Sequence, residues 1–142
     1  MIDIERIKKK AKEIKENILL ITKYTSISEQ KFSEDMRNIF TLRYLLLELI
    51  EGCAAICNHI LTKFGKIAPA GYTECFKGLE EIGVFDSEFT TKLVNMARFR
   101  NLLVHHYSKV DDHKVFEYSK KNLSDFEHFL NGIARFLKTE FL

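Results

Sequence analysis

The chain has 142 residues, of which 46% are hydrophobic, 12% aromatic and 30% charged, and its formal net charge is +2. That length suits one domain around one core, and the composition excludes a disordered chain. One Pro and six Gly are too few turn residues for a β-sandwich or barrel. No apolar run approaches the roughly 18 to 20 residues that a membrane-spanning helix needs.

The periodicity is helical almost throughout. A first helix is expected over about residues 3–24, with Ile4, Ile7, Ala11, Ile14, Ile18 and Ile21 inward. Its opening stretch mixes charges among apolar residues, which is not the pattern of a secretory signal. Three cysteines, an odd count, do not suggest a disulfide framework, and a cytoplasmic location is expected. Seven basic residues from Arg6 to Lys23 stand against Glu13 and Glu16. Such a stripe can track a phosphate backbone, but the simpler reading is the solvated face of an amphipathic helix.

The polar turn Thr25–Ser28 follows, with Ser28 or Ser33 as a cap and Glu34 or Asp35 in the next first turn. The longest helix carries Leu42, Leu45, Leu46, Leu49, Cys53, Ile56, Cys57, Ile60 and Phe64 on one stripe, with Gly65 as its stop and Pro69 just beyond. A connector over Lys66–Gly71 leads to a short helix at Tyr72–Ile82, ended by Gly83. Asp86 or Ser87 starts a fourth helix that runs to about His105. Asp111–Lys138 reads as one more long helix, burying Val115, Tyr118, Leu123, Phe126, Phe129, Leu130, Ile133 and Phe136 or Leu137. With no repeat or linker, residues 1–142 form a single domain: an all-α, up-and-down bundle of four to five helices.

One residue breaks the pattern. Phe89, Leu93, Met96, Leu103, Val104 and Tyr107 share an apolar sector of the fourth helix, and Arg100 lies in its middle. A guanidinium cannot discharge, so it needs a carboxylate partner or faces a cleft where an anion or a second subunit arrives. Glu51 is a plausible partner. Five residues on stand His105 and His106, whose imidazoles can exchange protons near neutral pH. An Arg and a His suffice for metal-free phosphodiester cleavage, one holding the phosphate and the other moving a proton. On a continuous helix, however, they lie about 140° apart. They converge only if the helix unwinds near His105 or if a second subunit supplies half of the site.

The stretch Arg100-Asn101-Leu102-Leu103-Val104-His105-His106-Tyr107, followed by Ser108-Lys109-Val110-Asp111, resembles the Arg-x4-His-x-Tyr signature of the HepT-like HEPN toxins. The likeness extends to Glu51–Ile60, with its Glu and its Asn58-His59 pair, and to the segment from Ala70 through Met96. It covers most of the chain and is weakest over the first thirty residues. The resemblance implies a HEPN helical bundle, usually a homodimer, that acts as a metal-independent ribonuclease toxin. Arg100 would then hold the phosphate and His105 would transfer the proton. Asn101 and His106 would support the site, and tRNA is the expected substrate. The implied partner is a minimal nucleotidyltransferase antitoxin that neutralises the toxin by transferring AMP to Tyr107. His106 fills the variable position between the motif His and Tyr, so either imidazole is chemically eligible; spacing favours His105. Ala55 stands where the family commonly has an acid, so no catalytic role is given to that helix.

No metal or other cofactor is expected. Cys53 and Cys57 lie one turn apart beside His59, but both sit in the apolar stripe, where a free Cys behaves as a small hydrophobe. His59 reads as an interface or surface residue. Glu48 and Glu51 read as solvated or Arg-pairing groups rather than a catalytic carboxylate pair. The alternative to a ribonuclease is a catalytically silent HEPN module that binds its nucleotidyltransferase partner, or nucleotides, through the same cleft. The near-neutral charge leans toward that alternative, and the intact Arg, His and Tyr lean against it.

Overall fold

The computed structural model describes residues 1–65 and 68–139. The expected all-α bundle is what forms: seven α-helices and no strand among the described residues. They are α1 (Ile4–Tyr24), α2 (Glu29–Ser33), α3 (Met36–Ile60), α4 (Tyr72–Glu81), α5 (Ser87–His105), α6 (Asp112–Lys121) and α7 (Ser124–Leu137). Side-chain caps set most of the helix starts, because the first amides of a helix lack intrahelical acceptors. Asp3 accepts from the Arg6 amide at 3.1 Å, Ser28 from Lys31 at 3.3 Å and Asp86 from Phe89 at 2.8 Å. Asp35 caps α3 and Asp111 caps α6 in the same way. Thus Ser28 starts the five-residue α2, and Asp35 starts the long helix.

Helix α3 is the central element. Its stripe from Leu42 to Ile60 is buried against α1, whose Ile7, Ala11, Ile14, Ile18 and Ile21 all point inward. Gly52 permits the close approach of the two helices, since a Cβ there would stand 2.9 Å from Ile14 Cγ1. The basic residues of α1 lie mainly on its outer side, as an amphipathic helix requires. The same core continues into α5 and α7, where Phe85 stacks on Phe129 at 5.5 Å and packs against Phe89 at 4.8 Å. Gly83, at φ +86°, ends α4 in the left-handed conformation that side chains disfavour. No helix among the described residues is long and apolar enough to cross a membrane.

Three details differ from the sequence expectation of four to five helices, the first being the short α2, an extra helix between the polar turn and the long helix. The stripe of the long helix ends at Leu61, because the chain widens into a π-helical turn over Leu61–Gly65 and leaves Phe64 exposed. The closing helix is two helices. At their joint the amides of Asp125 and Phe126 bond three residues back, to Asn122 and Leu123, which tightens the chain into a turn. The Asp125 carboxylate, buried and accepting from the Tyr118 hydroxyl at 3.1 Å, holds that joint from inside. The apolar spacing keeps its phase across the joint, so periodicity could not reveal it. The connector expected over Lys66–Gly71 starts on residues 66–67, outside the described residues.

Candidate functional site

Arg100 is held by three neighbours. Its Nε donates to Glu51 Oε1 at 2.9 Å, its Nη1 donates to Asn101 Oδ1 at 3.3 Å, and its guanidinium lies 4.6 Å from the centre of the Tyr72 ring. The Tyr72 hydroxyl donates to the second oxygen of Glu51. Thus α3, α4 and α5 each contribute one group to a half-buried triad. The Glu51 carboxylate holds the Arg100 pKa above its ordinary range, chiefly through that hydrogen bond. Burial, with the Glu51 hydrogen bond second, raises that of the Tyr72 phenol. A guanidinium pinned in this way keeps a rigid fork of donors suited to a phosphate. Arg100 on an apolar sector is therefore explained by its partner, Glu51, and Glu48 takes no part in the triad.

Helix α5 does not unwind before His105. It remains helical through that residue, and His106 is the first to leave the helix, at φ −138° and ψ 44°. Arg100 and His105 therefore stay about 140° apart around the axis and about 7.5 Å apart along it. Asn101 spans part of this gap, because it accepts from Arg100 and lies one turn before His105 on the same face. His105 and His106 are both exposed, and among the described residues Arg100 makes its hydrogen bonds to Glu51 and Asn101 rather than to either imidazole. Within the single chain, then, the unwinding that would bring Arg100 and His105 together does not occur.

The segment after His106 is a single 3₁₀ turn, Tyr107–Lys109. It is clamped from α3 by Arg43, which sequence spacing gave no reason to single out. Arg43 grips Asp112 through Nε at 2.7 Å and Nη2 at 2.8 Å, and donates from Nη1 to the Tyr107 carbonyl at 3.2 Å. With its backbone so fixed, Tyr107 projects its ring into solvent at 67% exposure. Beside it lies an apolar surface that binary patterning also missed. Met36, Phe40 and Tyr44, at i, i+4 and i+8 on α3, are each more than half exposed, and Val104 of α5 is 38% exposed. The last turn of the apolar sector of α5 is thus uncovered. Phe40 and Tyr44 fall off the buried stripe of α3, and that was the available signal.

The remaining candidates are structural. Cys53, Cys57 and Cys75 are free thiols in the core, and burial pushes the pKa values of Cys53 and Cys57 up. His59 is buried rather than on the surface: its Nε2 accepts from the Asp3 amide at 3.0 Å, tying the start of α1 to α3. Away from the triad, His113 Nδ1 meets Glu29 at 2.7 Å and links α6 to α2, with Glu117 close by.

Among curated proteins no relative matches the chain. Among solved structures it resembles a tri-AMPylated Shewanella oneidensis HEPN toxin in complex with an MNT antitoxin. The identity there is 27%, with 95% of this chain and 99% of that chain covered at a TM-score of 0.85. A toxin–antitoxin solved with AMP-PNP is 25% identical, with 94% and 99% covered and a TM-score of 0.81. A mutant of the toxin–antitoxin MntA–HpeT is 26% identical, with 91% and 97% covered and a TM-score of 0.80. The profile of the family described as Ribonuclease HepT-like matches residues 14–133, and the chain belongs to that family.

Proposed function

We propose that this protein is a metal-independent ribonuclease toxin whose working groups, Arg100 and His105, meet across a homodimer. The observation that carries the reading is the geometry of α5. An Arg fixed by Glu51 and Tyr72, and a His left exposed on a continuous helix, form two halves that one subunit does not join. The exposed Met36, Phe40, Tyr44 and Val104 beside them supply an apolar surface for the second copy. In the assembled cleft Arg100 and Asn101 hold the scissile phosphate. His105 takes the proton of the 2′-hydroxyl as that oxygen attacks phosphorus, or returns one to the departing 5′-oxygen. The guanidinium offsets the charge that builds on the phosphate oxygens. His106, at the helix end, supports the site, and the expected substrate is tRNA.

Tyr107 is the proposed point of control. Its ring is exposed on a turn clamped by Arg43, which makes its hydroxyl accessible to a second enzyme. A nucleotidyltransferase antitoxin would transfer AMP from ATP to that oxygen, forming a phosphodiester to Tyr107 and releasing pyrophosphate. The added bulk and negative charge beside the cleft would repel an RNA phosphate. The similar HEPN toxin that is tri-AMPylated and bound to an MNT antitoxin supports this reading. The test is expression in a bacterial host. Growth arrest by the wild type, relieved by Arg100→Ala or His105→Ala, is expected. Alanine variants that remain toxic at equal protein level would remove the pair from the mechanism.

A further inference from the structure

About 100° around α5 from Arg100 by helical spacing there is a concave site. A cleft of about 520 Å³ opens between α3, α5, α6 and the start of α7, within the roughly 300–1,000 Å³ of small-molecule sites. Its floor is apolar, built from Leu46, Ile50, Met96 and Phe99. Its polar groups are sorted by end. Lys109 and Lys114 line the end beside the Tyr107 turn, and neither forms an ion pair among the described residues. The acid at that end, Asp111, is engaged in capping α6. At the far end the buried Asp125 carboxylate meets Lys92 at 3.6 Å and the Tyr118 hydroxyl. Two exposed amides, Asn95 and Asn122, also line the cleft. Lys92 and Leu102 mark its length on α5, ten residues or about 15 Å apart by helical rise.

This polarity selects a ligand class. Two free ammoniums at one end call for a phosphate. An apolar floor with an aromatic ring, Phe99, suits a base. Amides and a carboxylate at the other end suit the donor and acceptor edge of a base that carries an exocyclic amine. A phosphate alone would leave the floor empty, and a base alone would leave the lysines without a partner. We propose that the cleft binds an amine-bearing nucleoside monophosphate unit, adenosine 5′-monophosphate being the simplest, with its phosphate on Lys109 and Lys114 and its base toward Asp125. The unit arrives either as the free nucleotide or as one residue of an RNA strand. The inference goes beyond the ribonuclease reading and does not depend on it, because Arg100 and His105 take no part in the cleft.

Titration calorimetry on the full chain, carried out with the His105→Ala protein so that RNA stays intact, tests this. Adenosine 5′-monophosphate is expected to bind saturably. Affinity should fall at least fivefold in Lys109→Ala/Lys114→Ala, whose altered side chains are exposed, and at least fivefold when inosine 5′-monophosphate replaces the adenine nucleotide. Saturable binding of an adenine decanucleotide but not of the mononucleotide, with the same dependence on the lysines and on adenine over hypoxanthine, would assign the unit to RNA. Absence of saturable binding in both arms overturns the proposal. So does an affinity indifferent to the lysines or to the exocyclic amine. Wild-type protein that fails to cut RNA, while the cleft binds the nucleotide, would overturn the catalytic reading alone.

Discussion

Arg100 and Glu51, 49 residues apart in sequence, meet at 2.9 Å with the Tyr72 ring beneath the guanidinium. This contact joins α3 to α5 and determines where the cation of the proposed site can point. Glu51→Gln retains the shape but leaves one acceptor for two donors. With the pair about a quarter to a third exposed, the stability loss should be about 1 kcal/mol. Urea unfolding checks that figure. RNA cleavage should fall further than stability does, because an unpinned Arg100 samples other rotamers.

The His113–Glu29 contact produces a pH dependence of known sign. The Glu29 hydrogen bond raises the folded pKa of His113 above its ordinary value. Its contribution is therefore fully present below the unfolded pKa of about 6.5 and is lost as pH rises through the folded value. The denaturation midpoint of the wild type should exceed that of His113→Gln by more at pH 5.5 than at pH 8.5. His59 runs the other way. Burial lowers its pKa, and its neutral ring accepts from the Asp3 amide. That tie is present above the unfolded pKa and is lost as pH falls through the folded one.

Packing makes a paired prediction on the closing helices. A Cβ at Gly132 would stand 2.2 Å from the Phe85 ring, so Gly132→Ala should cost about 1–3 kcal/mol through overpacking. Ser119 is fully buried, and its hydroxyl has no hydrogen-bond partner among the described residues. Ser119→Ala should be neutral or stabilise by up to about 1 kcal/mol. Thermal melts of the two variants should therefore move in opposite directions or differ by several degrees.

If the site is shared between subunits, two dead proteins complement each other. Arg100→Ala and His105→Ala, unfolded together and refolded as a mixture, should recover about a quarter of wild-type cleavage, since half of the dimers would be mixed and each would hold one complete site. A mixture as inactive as its components would place both groups within one subunit.

The helical stripes gave α1, α4 and α5 nearly to the residue, because each buries a single apolar face marked by a cap or a glycine. The joint at Asn122–Leu123 was invisible because Val115, Ser119, Phe126 and Ile133 keep helical phase across it. Arg100 stood out as a charge on an apolar sector, and Glu51 was a nameable partner. Arg43 was not legible. Its link to Asp112 spans 69 residues, and nothing local marks it. The exposed Met36, Phe40 and Tyr44 fall off the buried stripe of α3, a signal that their apolar character alone conceals.

The most direct measurement is incubation of the purified protein with total tRNA in EDTA, beside His105→Ala and Arg100→Ala controls. The mass of the wild type is checked first for the absence of an adenylyl group on Tyr107. Cleavage by the wild type alone is the predicted result and places the chemistry on the two named residues without a metal. Intact tRNA in every lane would contradict the ribonuclease reading and favour a binding module, and cleavage in every lane would remove Arg100 and His105 from the reaction.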